Sequence, residues 1–186
     1  MGAKGVRNVM ARRKLQQEFT GKGLTKPGDE FGGSLLKGNP KRKRPLESKL
    51  PIHLTLRATK SSLRTPKTQI IVAELVYGTA RKYGVTIYKF ANVGNHLHIL
   101  LKISRVGRWS AFIRELTGRI AQVTTALLDL SGRFWLYRPH TRIVRGWNKA
   151  YRTAKMYVHL NWLQAEGFIS RQETKTLKDL RAIFTG

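Results

Sequence analysis

Two histidines and a distant tyrosine define the chemistry this chain could do. In Asn95-His96-Leu97-His98-Ile99-Leu100-Leu101-Lys102-Ile103 the residues alternate as those of a strand do. Leu97, Ile99, Leu101 and Ile103 fall on one face, and His96, His98, Leu100 and Lys102 on the other. Two imidazoles two residues apart on one strand face stand close enough to grip a single metal ion. Two ligands do not complete a site, so a partner has to come from elsewhere. Far along the chain, Tyr157, Asn161 and Gln164 share a helix face at i, i+4 and i+7, beside an apolar stripe of Met156, Leu160 and Leu163. A helix of this kind, packed over the histidines, would present a phenol and an amide to them. An amide oxygen of asparagine or glutamine suits a hard divalent cation as third ligand.

The elements that must position these groups can be read from the same periodicities. Val85 to Val93 predicts the strand before the histidines, with Gly94-Asn95 in the turn. A strand in a hairpin is stiff, which suits a metal site. Ile52-His53-Leu54-Thr55-Leu56-Arg57 alternates as a half-buried strand with His53 on its outer face, a strand-face histidine near the site rather than a ligand. Thr65-Pro66 is a helix start, with Thr as N-cap and Pro at the first helical position. The stripe Ile71, Val72, Leu75, Val76 and Ala80 continues that helix to Gly84. Gly107 or Arg108 opens a longer helix, apolar along Trp109, Phe112, Ile113, Leu116, Ile120, Val123 and Leu127 and ended by Ser131-Gly132. Phe134-Trp135-Leu136-Tyr137 reads as strand. Pro139 then removes a backbone donor, which predicts an edge or broken strand resuming at Arg142-Ile143-Val144, with His140 at the surface. A helix from Asn148 to Glu166 is closed by Gly167, with Phe168 packing back. The capping box Ser170-Arg171-Gln172-Glu173 starts a last helix toward Phe184. The order β-α-β-β-α-β predicts an α+β, ferredoxin-like fold: a four-stranded antiparallel sheet with helices on one face and the tyrosine helix packed near the other.

Charge indicates the partner. The 186 residues carry 36 Lys+Arg against 10 Asp+Glu, a net charge of +26, and the obvious polyanion for such a field is nucleic acid. Residues 1–46 hold scattered Lys, Arg and Gly without apolar period and read as a basic, flexible arm, leaving 47–186 as the folded domain. Candidate nucleic-acid contacts are Lys41, Arg42, Lys43 and Arg44 in the arm, and Arg57, Lys102, Arg105, Arg108 and Arg114 in the domain. No run approaches about 18 consecutive apolar residues, and the N-terminus lacks the apolar core of a signal peptide. With no cysteine, disulfides and cysteine-bound zinc are excluded. The expectation is a soluble cytoplasmic protein associated with the nucleoid, not a membrane protein.

The chain resembles the single-tyrosine HUH transposases, and within them the REP-associated tyrosine transposases. Asn95-His96-Leu97-His98 matches their Asn-His-X-His run on a hairpin's second strand, and Tyr157-Val158-His159-Leu160-Asn161 matches their helical Tyr-X3-Asn motif. Leu163-Gln164-Ala165-Glu166-Gly167 echoes the stretch that follows. The likeness spans roughly residues 50 to 170, and it departs at Trp162, where the group usually has proline, and in the long basic arm. The resemblance implies metal-assisted transesterification of single-stranded DNA at or near hairpins, by a monomer or homodimer. Tyr157 would be the nucleophile that forms a 5′-phosphotyrosine; His96, His98 and Asn161 would hold Mg²⁺ or Mn²⁺. The competing class is a non-enzymatic RNA- or hairpin-binding basic protein, ribosomal-like or a domesticated relative. An RNA clamp has no use for His-X-His and Tyr-X3-Asn at matched positions. No Asp or Glu lies in either motif to serve as a base.

Overall fold

The structure is a computed structural model that describes residues 28–36, 43–170 and 172–173. The alternating segments form four strands, β2 (Ile52–Arg57), β3 (Val85–Asn92), β4 (His96–Ile103) and β5 (His140–Ile143), preceded by a short β1 (Glu30–Phe31). All pairings are antiparallel, in the order β1-β5-β2-β4-β3. Helices α1 (Gln69–Tyr83) and α2 (Trp109–Leu128) pack on one face, and α3 (Lys149–Glu166) on the other. The fold is α+β with the expected ferredoxin-like element order, extended by one strand at the β5 side.

Period-two burial fixes which way each strand faces. Leu54 and Leu56 of β2 and Leu97, Ile99 and Leu101 of β4 are fully buried, in one cluster with Val72 and Val76 of α1 and Phe112, Leu116 and Ile120 of α2. Each such side chain contributes about 1.5–3 kcal/mol, so this layer dominates stability. A second, smaller cluster joins Ala91, Leu100 and Val144 of the sheet side to Ala150, Ala154 and Val158 of α3. The helix therefore seats on small residues at i, i+4 and i+8, whereas its larger Met156 and Leu163 are only half-buried. Alanines let the helix axis come close to the sheet. A β-bulge between Ile87 and Lys89 turns Tyr88 toward α3, where its ring packs edge-on against Tyr151 and Trp147.

Local chemistry moves several boundaries. The helix starts at Gln69, not Pro66. Thr68 bonds back to Thr65 and Ser62 through its hydroxyl, winding Thr65–Thr68 into a separate turn. Helix α2 stops at Leu128, ahead of Ser131-Gly132, because Asp129 adopts the left-handed conformation with φ 47°. Residues 134–137 form no strand, only an isolated bridge between Trp135 and Ala58. Gly167 closes α3 as expected, with Phe168 N–H bonded to Leu163 O, although Phe168 is 69% exposed, its ring 5.9 Å from that of Trp162. The Ser170–Glu173 capping box forms in both directions.

Residues 28–36 fall in the stretch expected to be a flexible arm, yet they line the sheet edge. Glu30 pairs with Arg142 and Phe31 with Thr141, so β5 is covered on its outer side. Polar clamps hold this segment. Asp29 receives Arg145 on both carboxylate oxygens. Arg44 donates to Thr141 Oγ1, Pro139 O and Phe31 O, and its guanidinium stacks over the Phe31 ring. Gly32 permits the approach: its φ is 92°, and a Cβ there would fall 2.0 Å from Pro139 O. Arg44, expected as a nucleic-acid contact, thus has a structural role at this edge. Burial, with the Arg138 charge, pushes it down to about 10. Arg44→Ala should cost about 1–3 kcal/mol by leaving buried acceptors unmatched, read as a lower urea midpoint with little change in DNA affinity.

Candidate functional site

Both motif histidines face α3, as the burial of Leu97, Ile99 and Leu101 on the opposite side requires. The hairpin that delivers them closes on Gly94-Asn95, with Val93 N–H bonded to His96 O. Gly94 has φ 92°, a left-handed conformation that favours glycine, and a Cβ there would come within 2.8 Å of Ser61 Oγ. Across the sheet, His96 stands opposite Arg57, and His98 between Thr55 of β2 and Ala91 of β3. The His96 and His98 rings lie 4.6 Å apart with planes nearly perpendicular at 81°.

Each ring is held through its Nδ1. His96 Nδ1 lies 2.6 Å from Asn95 Oδ1. A carbonyl oxygen only accepts, so Nδ1 carries the proton and the Nε2 lone pair is directed elsewhere. His98 Nδ1 lies 3.1 Å from His53 Nε2 and 3.4 Å from Thr55 Oγ1. Burial, reinforced by the Arg57 charge, lowers His96 to about 4. His53 falls to about 3 for the same first reason, with His140 and His96 adding to it. Neutral imidazole is the form that binds metals. Among the described residues, no group of three or more His, Cys, Asp or Glu side chains is arranged to hold a metal ion.

Helix α3 brings Tyr157 over this cluster. Its ring stands edge-on to His98 at 5.4 Å and to His53 at 5.6 Å. One turn on, Asn161 donates its Nδ2 to the Tyr157 carbonyl at 2.7 Å, which sets the orientation of the amide. Burial raises the Tyr157 phenol above its usual value, while a hydrogen bond from Asn161 and the charge of Arg142 act the other way.

The remaining predicted contacts are not gathered here. Lys102 is on the site's face, but six residues along β4 from His96, roughly 20 Å away, beside Trp147. Arg105, Arg108 and Arg114 are exposed at the far end of β4 and on α2, which covers the other face. Lys43 is exposed; Lys41 and Arg42 lie outside the described residues. Arg57 is the one predicted domain cation that the fold sets beside the histidines.

Three residues join the site face without having been expected there. Arg142 is buried opposite His53 and forms an ion pair with Glu30. His140, expected at the surface, is half-buried opposite Thr55, its Nε2 3.8 Å from Glu30. Burial, with the Arg44 charge, lowers it to about 4. The outward alternation of β5 could have put Arg142 and His140 on this face. Nothing local in the sequence marks Glu30, whose place depends on a two-residue strand.

Comparison with protein families and with curated proteins gives no match. Among solved structures, the chain is similar to a REP-associated tyrosine transposase bound to a REP hairpin, with a TM-score of 0.51 and 16% identity over 70% of this chain and 76% of that one. It is also similar to a candidate transposase from Deinococcus radiodurans R1, with a TM-score of 0.43 and 15% identity over 66% of this chain and 98% of that one. The first likeness establishes a shared fold, that of a tyrosine transposase. Among the described residues, no helix is long and apolar enough to cross a membrane.

Proposed function

We propose that this chain is a transposase-like transesterase of the tyrosine HUH type, acting with a divalent metal on single-stranded DNA at or beside hairpins. The observation that carries the reading is the set of three perpendicular rings: His96 against His98, and Tyr157 against His98. They come from the two motifs, more than fifty residues apart, and meet on one sheet face. The fold shared with a tyrosine transposase bound to a hairpin supports it, and so does the net charge of +26.

The residues fit a metal. His96 and His98 have their Nδ1 atoms engaged by neighbours, the arrangement that orients ligating imidazoles. Nε2 of each would be the donor, and the Asn161 Oδ1, on the far side of its amide from the bond to Tyr157, would be the third. Two neutral imidazoles with one amide oxygen suit Mn²⁺ or Mg²⁺, the imidazoles favouring Mn²⁺. When bound, such an ion supplies Lewis acidity at a nonbridging phosphate oxygen.

The protein's own part is nucleophile and frame. Tyr157 Oη attacks the scissile phosphorus; the Oη–P bond forms as the P–O3′ bond breaks. The phenol loses its proton, and the departing 3′ oxygen gains one. The product is a 5′-phosphotyrosine with a free 3′-OH. Attack by a 3′-OH on that ester rejoins DNA and restores the phenol. Because a phosphodiester is exchanged for a phosphoester of similar energy, no nucleotide cofactor is needed. Arg57, which stands opposite His96, would hold the strand's phosphate backbone, and Arg142 offsets the burial that disfavours the ionised phenol.

The test is incubation of the full chain with end-labelled single-stranded hairpin DNA and Mn²⁺. A protein–DNA adduct that survives denaturant and carries only the label 3′ of the cut is expected. Tight binding with no adduct across a panel of hairpins would instead place the chain among non-enzymatic nucleic-acid binders.

A further inference from the structure

His53 belongs to neither motif, yet it meets a residue of each, His98 and Tyr157. It stands on β2, 5% exposed, with its ring nearly parallel to that of His98, centroids 5.2 Å apart and 11° between planes. Its Nε2 faces His98 Nδ1 at 3.1 Å. Its ring edge also meets Tyr157 at 5.6 Å. Two neutral imidazole nitrogens at that distance share one proton, and there are two ways to place it. With the proton on His98 Nδ1, His98 keeps its lone pair on Nε2, and His53 carries its own proton on Nδ1. With the proton on His53 Nε2, His98 must be protonated at Nε2 and cannot ligate through it.

We infer that His53 is a positioning residue: it accepts the His98 Nδ1–H, fixes the tautomer that presents Nε2 to a divalent cation, and braces the Tyr157 ring with the same side chain. This rests on the reading that His96 and His98 hold a metal. The two ligands then have different supports. Asn95, adjacent in sequence, orients His96 through an oxygen that can only accept. His98 depends on a ring from a neighbouring strand, 45 residues earlier, so its orientation is a property of the fold and not of the motif. Thr55 Oγ1, at 3.4 Å, is the weaker second contact to the same nitrogen.

Two measurements on the full-length chain test this. The first is metal-free: long-range ¹H–¹⁵N correlation on ¹⁵N-labelled protein reads which nitrogen of His98 is protonated. The expected result is Nδ1–H in the wild type and a mixture of tautomers in His53→Ala. A wild-type His98 protonated at Nε2 overturns the inference, whatever the chain does with DNA. The second is Mn²⁺ affinity by calorimetry for the wild type, His53→Ala, His53→Gln and His98→Ala. His53→Ala should weaken binding by about 10–100-fold, and His53→Gln, whose Oε1 can accept the same proton, should recover most of it. Equal affinity in His53→Ala and wild type, or no recovery in a folded His53→Gln, overturns the role. A wild type that binds no Mn²⁺ removes the metal reading itself, and the tautomer measurement still decides whether His53 orders His98. If His53→Ala fails to fold, the glutamine variant and the wild-type spectrum still decide.

Discussion

Tyr157→Phe is expected to abolish covalent capture of single-stranded DNA, by roughly a thousandfold or more, while the protein stays folded and still binds. The substitution removes one hydroxyl and keeps the ring that packs against His98 and His53, so the loss of stability should stay below about 1.5 kcal/mol. Binding, expected to rest on cations and aromatic surfaces elsewhere, should persist. No other tyrosine is placed to substitute. Tyr151 lies earlier on α3, packed among Tyr88 and Trp147 rather than over the histidines, and Tyr137 lies in the loop before Pro139. His96→Ala should also stop cleavage, but excess Mn²⁺ should restore part of it, because that variant loses affinity and not the nucleophile. An adduct in Tyr157→Phe, or its loss in Tyr151→Phe alone, would show that the nucleophile is another residue.

The sheet and the direction of its histidines were legible because period-two burial is a local property. Once Leu97, Ile99 and Leu101 are assigned inward, His96 and His98 have only one face left. The seat of α3 was not legible in the same way. A scan for bulky apolar residues picks Met156, Leu160 and Leu163, of which only Leu160 is buried, whereas the helix docks through Ala150, Ala154 and Val158, because the close approach to the sheet selects small side chains. The docked N-terminal segment was hidden for a third reason. Glu30-Phe31 is too short to show a period, and what holds it is distant in sequence: Arg145 on Asp29, and Arg44 on Pro139 and Thr141. Arg44 looked like part of a solvated basic run because charge reports the residue type, while burial depends on partners 95 and 97 positions away.

That alanine seat makes the position of Tyr157 separable from the stability of the domain. Ala154 is fully buried between α3 and the sheet, and Leu at this position adds three carbons where close packing leaves no space for them. Overpacking of this kind costs about 1–3 kcal/mol. The larger cluster, which joins the other sheet face to α1 and α2, contains none of these residues, so the strain is relieved by lifting α3 and not by unfolding the sheet. Tyr157 and Asn161 follow Ala154 by one and two turns of the same helix and must move with it. A displacement of about 1 Å at reacting groups is enough to lower a rate about a hundredfold. Ala154→Leu should therefore reduce adduct formation by about that factor while the protein remains cooperatively folded. Hydrogen exchange should quicken in α3 and stay slow in β2, β4 and α2. Because Asn95 and His53 hold the two imidazoles from the sheet side, Mn²⁺ binding should persist at reduced affinity, the loss reporting the displaced Asn161. Adduct formation at the wild-type rate with exchange in α3 unchanged would mean that the sheet tolerates a leucine here and that the alanine contact does not set the phenol's position.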